Sequence, residues 1–163
     1  MSNIWAPWRM EFIEGLRNKS EGCIFCTLQQ EGDDREKLVL ARTAHAYVVM
    51  NKFPYNCGHL LIVPNGHKEK LTDLSAEEQA DLMRLAAQSV DILMETLNAE
   101  GANCGVNVGR AGGAGVTDHV HMHIVPRWNG DTNFMPIMSD TRSMPEYLGQ
   151  TYDKLVSGFS KIK

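Results

Sequence analysis

Between His119 and Val125 the chain reads His-Val-His-Met-His-Ile-Val, imidazoles alternating strictly with apolar side chains. A strand points alternate side chains to opposite faces. His119, His121 and His123 are therefore expected on one face, with Val120, Met122 and Ile124 entering a core on the other. Residues two apart on a strand lie about 6.7 Å apart and residues four apart about 13 Å. With zinc–nitrogen bonds of about 2.0–2.1 Å, one ion cannot hold all three imidazoles. Two neighbours could share a metal, but the third must act elsewhere. The bland alternative is a chance run of histidines on a solvated face, and nothing structural demands imidazole at alternate positions.

The rest of the chain supplies the support for such a strand. Leu38-Val39-Leu40 and Ala46 to Met50, split at Thr43-Ala44-His45, read as two antiparallel strands. His59 to Val63, stopped by Pro64 and Asn65-Gly66, reads as a third. Ser75 and Glu78 form a capping box ahead of a long helix, with Leu82, Leu85, Ala86, Ser89, Leu93 and Leu97 on one face and Gly101 just beyond its end. Cys104 to Val108 and His119 to Val125 are expected strands on either side of a glycine-rich loop. Pro145 is positioned to open a final helix with Leu148, Tyr152, Leu155, Phe159 and Ile162 on one side. One helix between runs of strands, without βαβ alternation, predicts an α+β domain on an antiparallel sheet of about five strands. The 163 residues suit one domain. Within it, residues 1–37 form an arm carrying a cysteine pair, 38–128 the core, and 129–163 a C-terminal extension and helix.

Composition narrows the function classes. Twenty acidic against 16 basic residues give a net charge of −4, and no window gathers the Lys and Arg that a nucleic-acid face needs. No apolar run approaches the roughly 20 residues that cross a bilayer, and the N-terminus lacks the pattern of a secretory signal. A cytoplasmic protein with no membrane or nucleic-acid partner is expected. Its cysteines should then be reduced.

Imidazole is a good nucleophile at neutral pH and a good leaving group from phosphorus, so one histidine can take up a phosphoryl or nucleotidyl group and pass it on. A neighbour can manage the leaving-group proton or an anionic oxygen. The loop Gly109-Arg110-Ala111-Gly112-Gly113-Ala114-Gly115 lets backbone N–H groups approach phosphate closely. A plain hairpin connection has the same composition, and neither a Gly-Lys-Ser/Thr ending nor a dinucleotide fingerprint is present.

At these residues the chain resembles the histidine-triad (HIT) superfamily of nucleotide hydrolases and transferases. His119 to Val125 is similar to its signature, and Asn51-Lys52-Phe53-Pro54-Tyr55-Asn56-Cys57-Gly58-His59 to Pro64 to its first substrate strand. The resemblance implies that His121 attacks the α-phosphorus to form a nucleotidyl-histidine intermediate, that His123 and His59 serve the phosphate and leaving group, and that Asn51 binds ribose hydroxyls. It also implies an adenine-nucleotide substrate and a homodimer with its two sheets side by side. Trp5-Ala6-Pro7-Trp8-Arg9-Met10 and Pro126 to Phe134 look like the branch containing diadenosine tetraphosphate phosphorylases. Asn107 matches a phosphate-site asparagine of that branch. Gly115 stands where many members carry serine, and Thr117 is the nearest hydroxyl. Water and phosphate both remain open as acceptors. Other readings are a phosphoramidate or acyl-adenylate hydrolase, a non-catalytic nucleotide-binding module, and a zinc-stabilised adaptor.

Cys23-Ile24-Phe25-Cys26 has the spacing of half a tetrahedral zinc site, with His67 and His119 as candidate partners. A redox dithiol and two unbridged thiols are the alternatives. Resemblance to bacterial HIT proteins and hexose-phosphate uridylyltransferases implies a closed, structural zinc site from these four residues. No organic cofactor is expected. Cys57 and Cys104 read as small core residues, Met83 and Met94 as packing, and His45 as a surface residue. Trp5, Trp8 and Trp128 read as interface or core aromatics, and Asp33 to Lys37 as a solvated charge run.

Overall fold

Short β-rich runs and amphipathic helices bury their apolar sides only by stacking on one another. The computed structural model, which describes residues 22–30, 32–131, 144 and 146–162, shows how they do so. In chain order the elements are α1 (Ile24–Gln29), α2 (Asp34–Lys37), β1 (Val39–Arg42), β2 (Ala46–Met50), β3 (Leu60–Pro64), α3 (Ala76–Leu97), β4 (Gly101–Val106), β5 (Met122–Arg127) and α4 (Leu148–Phe159). The strands form one sheet in the order β1-β2-β3-β5-β4, every neighbouring pair antiparallel. This is the α+β arrangement expected.

The period of two sorts the central strands by residue parity. Even-numbered Ala46, Val48, Met50, Leu60, Ile62 and Ile124 face α3 and α4, where Leu82, Leu85, Leu93, Tyr152, Leu155 and Phe159 complete the main core. Odd-numbered Tyr47, Val49, Leu61 and Val63 face the other way, into a smaller cluster closed by Phe25 of α1. The three histidines of the alternating run belong to that second face. Register puts His123 beside Leu61 on β3 and Gly105 on β4.

The capping box of α3 is formed as expected: Glu78 N–H donates to Ser75 Oγ (3.2 Å) and Ser75 N–H to the Glu78 carboxylate (2.6 Å). The helix stops earlier than Gly101, at Asn98, whose left-handed conformation (φ 52°) turns the chain, and Gly101 instead opens β4. Asparagine tolerates that region because its short polar side chain can bond locally.

In the arm the Cys pair straddles the start of α1, and Asp33 to Lys37, solvated as expected, forms a helical turn capped by Asp33 and tied by Arg35 to Asp153 of α4. Other expectations need correction. The fourth strand spans Gly101 to Val106 rather than residues 104–108, and the fifth begins at Met122, so His119 to His121 lead into it. Met83 (62%) and Met94 (43%) are exposed. Cys104 is exposed because β4 is the sheet's edge, and Cys57 is half-buried with its Sγ 3.5 Å from Thr151 Oγ1. Trp128 is half-buried, its indole N–H donating to Leu97 O (3.3 Å), and His45 is exposed, as expected. Pro145, Trp5, Trp8 and the extension from Thr132 to Ser143 lie outside the described residues.

Candidate active site

His59, at the entry to β3, and His123, on β5, are both buried and share one hydrogen bond, His59 Nε2 to His123 Nδ1 at 3.0 Å. The direction of that bond follows from the backbone. Tyr55 N–H donates to His59 Nδ1 (3.0 Å), which makes Nδ1 an acceptor and puts the proton of neutral His59 on Nε2. His59 then donates to His123 Nδ1, and the His123 proton must lie on Nε2. That nitrogen is buried and has no hydrogen-bond partner among the described residues. A buried donor without a partner costs free energy unless a ligand satisfies it.

His121 is fixed by a different route. Its Nδ1–H donates to the carbonyl of His119 (2.9 Å), leaving Nε2 with the lone pair. Its ring centroid is 4.9 Å from that of His123. Of two neighbouring rings, one therefore carries an unprotonated nitrogen and the other an N–H donor. Burial, followed by the neighbouring imidazoles, lowers the pKa of His59 to about 3; burial and His121 lower that of His123 to about 4. Burial also lowers His121 against the opposing pull of the His119 carbonyl. All three rings are neutral near pH 7.

His119 faces a second cluster. Its Nε2–H donates to Pro64 O (3.0 Å), turning Nδ1 toward Cys23 Sγ at 3.3 Å and Cys26 Sγ at 3.7 Å. His67 Nδ1 lies 3.4 Å from Cys26 Sγ, and the four ligand atoms lie within 4.8 Å of one another. Sulfur and nitrogen at about 2.3 and 2.0–2.1 Å from a tetrahedral zinc would be about 3.6 Å apart, so the donor set fits that ion. Phe25, between the two cysteines, packs on His119 (5.5 Å, edge-on) and His121 (4.8 Å), and Tyr47 O–H donates to its carbonyl (2.7 Å).

The remaining sequence candidates lie around this face. Asn51, at the end of β2, has Nδ2 3.3 Å from His59 Nδ1, while its Oδ1 accepts from Phe53 N–H (2.9 Å). Asn107, just past β4, donates to Gly113 O (3.4 Å) and braces the glycine-rich loop, which turns at Gly109 (φ 68°) and Gly113 (φ 87°). Gly115 is exposed, and a Cβ there would meet nothing within 4 Å. Thr117 is half-buried beside Val116, which packs on the second cluster. Cys57 and Cys104 take no part in either group.

Sequence reasoning passed over Tyr55, Phe25 and Asp131. An aromatic ring four residues before His59 and one inside the Cys pair were the available signals for the first two. Asp131 offered none, since its partner Asn56 lies 75 residues away; Asn56 Nδ2 donates to it at 2.9 Å.

Comparison with known proteins follows the same residues. Residues 33–130 match the model of the HIT domain. The chain is 32% identical over 168 residues to an AP-4-A phosphorylase of Mycobacterium tuberculosis, covering 99% of this chain and 86% of that protein. It is 34% identical over 107 residues to an adenosine 5'-monophosphoramidase of Schizosaccharomyces pombe, covering 66% of this chain and 75% of that protein. A crystal structure of a zinc-bound histidine triad family protein from Mycobacterium smegmatis superposes with a TM-score of 0.68 at 24% identity, over 86% of this chain and 95% of that one. A domain match that spans both histidine clusters, with a relative aligned along nearly the whole chain, makes this protein a member of the HIT family.

Proposed function

We propose that this protein cleaves dinucleoside polyphosphates at an α-phosphorus through a nucleotidyl-histidine intermediate on His121, with water or inorganic phosphate as the acceptor. The observation that carries this reading is the pair of tautomers on neighbouring rings, a lone pair on His121 Nε2 and, on His123, a buried N–H without a partner among the described residues. In the first step His121 Nε2 attacks the α-phosphorus, a P–N bond forms, and the P–O bond to the departing polyphosphate breaks. The ring gains positive charge as it does so, and the His119 carbonyl bonded to Nδ1–H stabilises it. His123 Nε2–H donates to the departing oxygen, with His59 behind it. In the second step the acceptor attacks phosphorus, the P–N bond breaks, and His121 regains its lone pair. Asn51 is assigned to the ribose hydroxyls, and Asn107, Gly115 and Thr117 to the phosphate side.

The near-full-length phosphorylase relative supports an adenine substrate of this class. The phosphoramidase relative supports a second reading, hydrolysis of a nucleoside phosphoramidate on the same histidines. Cys23, Cys26, His67 and His119 are proposed to bind zinc in a structural role: four protein ligands leave no position for substrate. A reducing cytoplasmic setting would keep both thiols available for it. Dimerisation is proposed along β4, whose outer edge pairs with no other strand among the described residues.

The test is incubation with diadenosine tetraphosphate, with and without phosphate, against His121→Ala. Phosphate-dependent ADP plus ATP identifies a phosphorylase, and AMP plus ATP without phosphate a hydrolase. Absence of any His121-dependent product overturns the proposal and sends the search to phosphoramidates.

A further inference from the structure

We infer that Tyr55 is a positioning residue for the His59–His123 pair, its peptide N–H setting the tautomer of His59 and its ring roofing both imidazoles. The inference rests on the catalytic reading given above. The Tyr55 ring centroid lies 4.6 Å from that of His59, and 5.6 Å from that of His123 with the two planes only 8° apart. Tyr55 itself is 43% exposed, whereas His59 and His123 beneath it are 1% and 8% exposed. Tyr55 thus lies between the paired rings and the protein surface.

The loop that carries Tyr55 is braced for this duty. His59 N–H donates to Asn56 O (3.1 Å), closing a turn through Gly58 at φ 76°. The Asn56 amide donates to Pro126 O (3.1 Å) and to Asp131 (2.9 Å), and Arg127 grips that carboxylate with two bonds at 2.7 and 2.8 Å. The loop is therefore fastened to the end of β5, the strand that bears His123. Among the described residues, the ionisable groups facing the two imidazoles are each other, His121 and the Tyr55 phenol; Asp131 bonds Asn56 and Arg127.

Removing the ring while keeping the peptide N–H separates shielding from tautomer control. In Tyr55→Ala, water reaches both imidazoles, and their titration midpoints should rise by about one pH unit or more. The midpoints are followed by NMR of ring-labelled histidine in the free, full-length protein. With diadenosine tetraphosphate, kcat should fall about tenfold with KM within about twofold. Tyr55→Phe should restore most of kcat and the parent midpoints. Tyr55→Ser, which also removes the cover, serves if the alanine variant does not fold. Unmoved midpoints in a folded Ala or Ser variant overturn the inference, and so does a rise in KM alone, which would make Tyr55 a substrate contact. A parent protein with no His121-dependent turnover would defeat the catalytic reading instead, and the midpoints would still decide the role of Tyr55.

Discussion

Two imidazoles buried as neutral rings determine how the molecule meets acid. His59 and His123 titrate at about 3 and about 4 when folded, against 6.5 for a free imidazole. Between those values the unfolded chain binds protons that the folded chain refuses, so stability is full above about pH 6.5 and is lost as pH falls toward 4 and 3. Urea midpoints measured at pH 7.5 and pH 5 should show the protein weaker at pH 5, with a smaller difference in His59→Gln. Two glycines near the site make an opposed pair. Gly58 has φ 76°, and a Cβ there would lie 2.7 Å from Leu97 Cδ1. Gly58→Ala should therefore cost about 2–4 kcal/mol of unfolding free energy from backbone strain and overpacking together. Gly115→Ser, in open space, should stay within about 0.5 kcal/mol by the same measurement.

At the scale of elements, α3 depends on its first turn. Ser75→Ala removes the acceptor for Glu78 N–H and should cost about 1 kcal/mol by urea unfolding, with no change in turnover. That capping box was legible in the sequence because every part of it lies within four residues. The alternation from His119 to Val125 was legible for the same reason: parity along a strand is a local property that survives any topology. What lay beyond reach was set at long range. Strand order makes β4 the edge and so exposes Cys104, whose strand context reads as core. Asn98 ends the long helix three residues before Gly101. Six residues of α1 were too few to show a period, although they carry Phe25 onto His121. The tautomers of His121 and His119 are set by peptide carbonyls, at His119 and Pro64, which look alike at every position in a sequence.

For the whole molecule, the Cys and His cluster fastens three separated stretches of chain, α1, the turn after β3 and the approach to β5. Cys23→Ser should lower Tm by several degrees and release bound zinc on purification, read by elemental analysis beside a thermal melt. A parent protein that carries no metal and melts at the same temperature as the variant would count against the zinc assignment. His119 has a part in both clusters, but by different atoms. The Cys and His cluster uses its Nδ1, a property of histidine, whereas His121 uses only its carbonyl, which any residue at that position supplies. The dependence therefore runs one way in evolutionary terms. A lineage could discard both cysteines and replace the side chain at 119 while the proposed nucleophile kept the same backbone acceptor, so the proposed metal site is the part of this design that descendants are freer to lose.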